Sequence, residues 1–175
     1  MKYMIQTVEK NPQLKSKVTL SHGIAMAMMQ GAELEEVIAG LAEQQFTVAS
    51  TIPLGKLNMP LPQLSENGVF VMTGTDSVID HWSPFGTGSM LEKASLYAQL
   101  YGNSDEFGLT RSLAIATGSV LPLDDSGKRQ WPAVNDNAEM ILVDASCSAE
   151  AVARVSEVKA TFHQGRLVFG AVGKV

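Results

Sequence analysis

Two residues carry the chemistry. His22 closes the run Lys17-Val18-Thr19-Leu20-Ser21-His22, a short apolar stretch that stops on a polar pair. Asp76 closes a second run, Val69-Phe70-Val71-Met72-Thr73-Gly74-Thr75-Asp76. An imidazole and a carboxylate at the ends of two buried strands suit the mouth of an α/β enzyme site, because both side chains can move protons or ligate a divalent metal. The blander roles are a satisfied core histidine for His22 and an N-cap for Asp76, over a turn through residues 77–80. The other histidines are His81 and His163, and Cys147 is the one cysteine. No plausible metal cluster completes the set, so the chain reads as one half of an active site.

These two residues need strands to place them. Apolar, β-branched runs predict strands at 17–21, 46–52 and 69–73. A helix is expected over 32–44, where Leu34, Val37, Ile38 and Leu41 form a core-facing stripe at helical spacing. An earlier helix should end near Asn11-Pro12, since a residue before proline disfavours the α region. Residues 53–62 hold Pro53, Gly55, Pro60 and Pro62 and read as a long loop. A second loop over 77–89 carries Trp82 and Phe85. Helices follow at 90–101 and 106–117. Residues 118–137 are loop-like, 140–143 is a short strand, and 149–155 a helical turn or two. Residues 158–162 and 166–169 read as a hairpin across His163-Gln164-Gly165. Helices alternating with strands imply a parallel α/β arrangement in residues 1–118. The tail, 119–175, reads as a small β-module.

Composition bounds the answer. The 175 residues are 45% hydrophobic and only 18% charged, against a usual charged share of about 25%. Either the interior is large or apolar surface meets a partner. The net charge of −5, with no compensating basic run, argues against nucleic-acid binding. A lone cysteine excludes an internal disulfide and a cysteine-based zinc finger, and fits a reducing cytoplasm. No apolar run reaches the roughly 18 residues of a membrane span. Gly86-Thr87-Gly88 is too short and lacks the lysine of a phosphate cradle. Met26, Met28 and Met29 read as core or subunit contact, and Cys147 as inert.

The chain resembles the amidohydrolase superfamily, in its cytosine deaminase-like branch, over nearly its whole length. Val18-Thr19-Leu20-Ser21-His22 resembles the sixth barrel strand, which ends in Ser-His. Gly74-Thr75-Asp76 resembles the end of the eighth, whose aspartate binds metal. Residues 80–91 resemble the following loop, Asp-x-Trp-x-Pro-x-Gly and then Met-Leu. Residues 135–143 resemble a strand of the appended β-domain, and 163–168 its closing Gly-Arg-x-Val turn. Each match is weak alone, but five in the family's order are specific.

The resemblance implies a fold, α/β: about strands six to eight of a (β/α)₈ barrel with their helices, plus part of a small β-sandwich domain. It implies a C-terminal portion that starts in the helix before strand six. It further implies that Asp76 is a metal ligand and proton carrier and that His22 contacts the activated water or the substrate carbonyl. Trp82 would wall a flat heterocycle or anchor the loop, and Asp80 would support the loop or contact substrate. The cofactor would be zinc or iron, which lowers the pKa of a bound water. Three of the family's metal ligands are histidines, two in a His-x-His pair, and a Glu soon after the third shuttles protons. This chain holds no His-x-His and no His-x-x-Glu. The isolated chain is therefore expected to hold no metal and to be inactive. Thr75 stands where cytosine deaminase carries a histidine, so pyrimidines, triazines and cyclic ureas all remain as substrates. The expected partners are a small cyclic nitrogen compound and the missing barrel half, or another copy of the chain. The alternative is a non-catalytic remnant or split-enzyme subunit that oligomerises through open barrel edges.

Overall fold

Helix α2 (Gly31–Glu43) forms where its apolar stripe was expected. Val37, Ile38 and Leu41 are buried, while Glu33, Glu35, Glu36 and Glu43 face solvent. The structure is a computed structural model and describes residues 1–53, 55, 58–81 and 84–172. Helix α1 (Lys2–Glu9) buries Ile5 and Val8. A Cβ on Gly40 of α2 would stand 2.9 Å from Ile5 Cγ2, so the bare glycine lets α1 approach α2. Helix α2 closes in a Schellman motif. Gln45 is left-handed at φ 55°, its N–H donates to Ala42 O at 3.0 Å, and Phe46 N–H donates to Leu41 O at 2.9 Å.

Strands β1 (Thr19–Ser21), β2 (Thr47–Ser50) and β3 (Phe70–Thr73) form one parallel sheet with β2 in the middle. The register sets Leu20 beside Val48 and Val48 beside Val71. One face is sealed: Val48, Ser50, Val71 and Thr73 are buried. The opposite face is open, with Thr19, Ser21, Phe70 and Met72 exposed. The two strands that lead to His22 and Asp76, expected to be buried, are therefore buried on one face only. Alternation along β2 and β3 is the mark of a sheet covered on one face, whereas parallel sheets are ordinarily covered on both.

The proline-rich stretch also holds more order than expected. Helix α3 (Leu61–Glu66) begins directly after Pro60 and carries Pro62 in its first turn. Proline is tolerated there because that N–H has no intrahelical partner. A 3₁₀ helix, Ile24–Met28, follows β1 and buries Met26, while Met28 is exposed.

The chain divides into two compact units, Met1–Gly88 and Ser89–Val175. In the second, α4 (Met90–Tyr101) is capped by Ser89, whose Oγ accepts from Glu92 N. The expected helix over 106–117 is two pieces, α5 (Glu106–Arg111) and α6 (Ala114–Thr117). Strand β4 (Met140–Val143) pairs antiparallel with β5 (Val158–His163), which pairs with β6 (Arg166–Gly170). Helix α7 (Ser148–Arg154) lies between β4 and β5 in the chain. Leu91, Ala94 and Ala98 of α4 share a core with Ala151 and Val152 of α7. The expected hairpin is present, but its turn is two residues, Gln164 and Gly165, both at positive φ; His163, read as part of the turn, ends β5 and pairs with Arg166. The described residues are thus α/β with two three-stranded sheets. Among the described residues, no helix is long and apolar enough to cross a membrane.

Candidate functional site

Strand β1 ends at Ser21 and His22 follows in the left-handed region, at φ 64°. Its N–H donates to Ala49 O at 2.8 Å, which ties it to the end of β2. Strand β3 ends at Thr73; Asp76, three residues on, is also left-handed, at φ 55°. Positive φ in a non-glycine residue costs energy, and such residues concentrate where a chain must aim a side chain. Here the two turns bring His22 Nε2 to 3.9 Å from Asp76 Oδ2. That exceeds hydrogen-bond length. Both side chains stay near half exposed, at 40% and 47%. The pair stands at the carboxyl end of a parallel sheet, where open α/β sheets place ligands.

No helix begins within residues 77–81, so Asp76 does not act as a helix cap over that turn. His22 is too exposed for a core histidine. The structure thus brings together the two residues that the sequence singled out. Asp80 and His81 lie exposed in the loop beyond. Trp82, expected as a wall for the substrate, lies outside the described residues. His163 sits at the turn of the second sheet, where its Nδ1 is 2.9 Å from Glu139 Oε2. That contact, and the Gln164 N–H donating to Glu139 Oε1, hold the Glu139 carboxyl below its ordinary range.

Asp76 fits part of a zinc or iron site in donor type, as one carboxylate oxygen, and the His22 imidazole stands beside it. Such a site needs about four ligands. Among the described residues no group of three or more His, Cys, Asp or Glu side chains comes together. Among the described residues, Asp76 would supply one ligand of about four.

Two buried hydroxyls beneath the pair escaped the sequence reading. Ser50 and Thr73 are 1% and 4% exposed, side by side in the register of β2 and β3. Thr73 Oγ1 donates to Ser50 O at 2.8 Å, and Ser50 Oγ accepts from Ile52 N at 3.0 Å. The available signal was a polar residue at the core-facing position two beyond an apolar one, Val48 to Ser50 and Val71 to Thr73.

No family model matches the chain. It is similar to YahJ of Escherichia coli K12, described only as an uncharacterized protein, with 59% identity over 170 residues. That match takes in 97% of this chain and 37% of YahJ. Among solved structures it is similar to the N-isopropylammelide isopropylaminohydrolase of Burkholderia multivorans, with TM-score 0.74 and 27% identity. The match covers 94% of this chain and 42% of that enzyme. It also shares its fold with the 5-methylcytosine deaminase of Klebsiella pneumoniae liganded with 5-fluorocytosine. There the TM-score is 0.70 at 20% identity, over 94% of this chain and 43% of that one. The chain's structural neighbours are thus amidohydrolase-family deaminases, as its motifs indicated. The chain spans about two fifths of the length of each of these three proteins.

Proposed function

We propose that this chain is the C-terminal portion of an amidohydrolase that breaks C–N bonds, in the manner of a deaminase of cytosine or a related cyclic nitrogen compound. Residues 1–118 would be the arc of strands six to eight of a (β/α)₈ barrel with their helices, the open sheet face turned inward. Residues 119–175 would be part of the appended β-domain. One observation carries the reading. His22 and Asp76 meet at the carboxyl ends of β1 and β3, inside a region that matches an isopropylaminohydrolase in fold.

A divalent ion held by Asp76 and by histidines from outside this chain would make water acidic enough to deprotonate near neutral pH. The remaining steps fall to side chains. The Asp76 carboxylate takes a proton from the attacking water and delivers it to the leaving nitrogen. His22 hydrogen-bonds the oxygen that gathers charge at the ring carbon. Trp82 would stack on the ring. The carbon gains an oxygen, the C–N bond breaks, and ammonia or an amine departs.

The test joins the two portions. A chimaera in which this chain replaces its matching segment of YahJ is assayed for amine release from cytosine, aminotriazines and cyclic ureas. Release that depends on Asp76 supports the proposal. Release that is unchanged in Asp76→Asn refutes it.

A second reading rests on the open edges. Among the described residues β1 and β3 each pair on one side only, and such edges recruit strands. A non-catalytic subunit would use them to bind another copy. Light scattering that finds a monomer would dismiss that reading.

A further inference from the structure

Strand β2 serves both site residues through two successive carbonyls. Ala49 O accepts the His22 N–H at 2.8 Å. Ser50 O, on the other side, accepts the Gly74 N–H at 3.2 Å and the Thr73 hydroxyl at 2.8 Å. A carbonyl oxygen has two lone pairs, so both donors to Ser50 O are accommodated. Beyond Thr73 the backbone leaves the ladder and turns left-handed at Asp76. Among the described residues, the last tether before that turn is thus the pair of bonds to Ser50 O.

The Thr73 hydroxyl is buried. Its other neighbouring acceptor, Gly74 O, lies farther off at 3.4 Å. A buried polar group at an apolar position costs free energy unless it is paired, and valine would fill the same volume. The strand therefore carries a hydroxyl where packing alone asks for a methyl.

We propose that Thr73 is a positioning residue: its hydroxyl bond to the Ser50 carbonyl aligns the end of β3 with that of β2 and so sets Asp76 opposite His22. The inference rests on reading that pair as the site, but its test reads geometry and needs no substrate. The full chain is isotopically labelled and studied by NMR as wild type, Thr73→Val and Thr73→Ser. Three signatures are followed: the HN–Hα coupling of Asp76, its Cα and Cβ shifts, which report its positive φ, and the contact between the His22 ring and the Asp76 β-protons.

Wild type and Thr73→Ser should share all three. Thr73→Val should lose the His22–Asp76 contact and move the Asp76 signatures, while the amides of β1 stay put. If Thr73→Val keeps the contact and only melts earlier, the hydroxyl is a stabilising bond and the proposal fails. Should the valine variant not fold, Thr73→Ser decides. Retention of the contact with the hydroxyl alone supports the proposal, and its loss overturns it. A chimaera without activity would count against the functional reading and leave this geometric result untouched.

Discussion

His22 and Asp76 stand 3.9 Å apart although a whole strand separates β1 from β3. Both are left-handed, and each lies just past the end of an outer strand. The strands supply a common direction, and the turns beyond them swing the side chains over the end of β2. Each residue then has its own task to test.

His22 contacts the reacting oxygen in this account, whereas Asp76 holds the metal. In the YahJ chimaera, His22→Ala should therefore keep the bound metal and lower the rate by about 10²–10⁴-fold, the usual worth of a positioned proton or hydrogen-bond donor. Metal analysis beside kinetics checks this. Loss of metal in His22→Ala would make His22 a ligand instead.

Gln45 sits exposed at the left-handed end of α2. Glycine adopts that conformation without the Cβ clash. Gln45→Gly should stabilise the chain by about 1 kcal/mol, read as a higher midpoint in urea. A lower midpoint would mean that the Gln45 side chain makes a contact worth more than the strain.

Gly170 ends β6 with φ 78°, and a Cβ there would stand 1.8 Å from Lys159 O. Backbone must move to admit it. Gly170→Ala should break the end of the β5–β6 pairing, so that amides of β6 exchange faster with solvent while those of β2 keep their protection. Unchanged β6 protection would show that the closing glycine is dispensable.

The Glu139 carboxyl is held below its ordinary range by the bond to His163 and by the Gln164 N–H. A depressed folded value means that the stabilisation is present above the unfolded carboxylate value and is lost as pH falls through the folded one. The hairpin turn should accordingly loosen only on acidification below the ordinary carboxylate range. The Gln164 amide shift followed against pH checks this, and Glu139→Gln should remove the acid transition. A transition that persists in that variant would assign it to another group.

Periodicity made much of this architecture legible. The stripe of α2 and the parallel sheet follow from spacing, because burial on one side repeats every 3.6 or two residues. Helix α3 was hidden, since Pro60 and Pro62 look like breakers until one knows that they sit at a helix start. The pause between α5 and α6 was hidden too: Ser112 is buried, bonded to Gly108 O and to Asn103, and its neighbours' spacing continues through it. His22 and Asp76 were visible as strand ends. Their meeting was not, because it depends on the register of β2 between them and on two left-handed turns. Ser50 and Thr73 went unread because a buried hydroxyl has no periodicity of its own.

The most direct measurement is the metal content of the purified YahJ chimaera, with and without Asp76→Asn. Zinc or iron should be bound in stoichiometric amount by the parent chimaera and lost from the variant, since the Asp76 carboxylate is the proposed ligand. Equal metal in both proteins would contradict this.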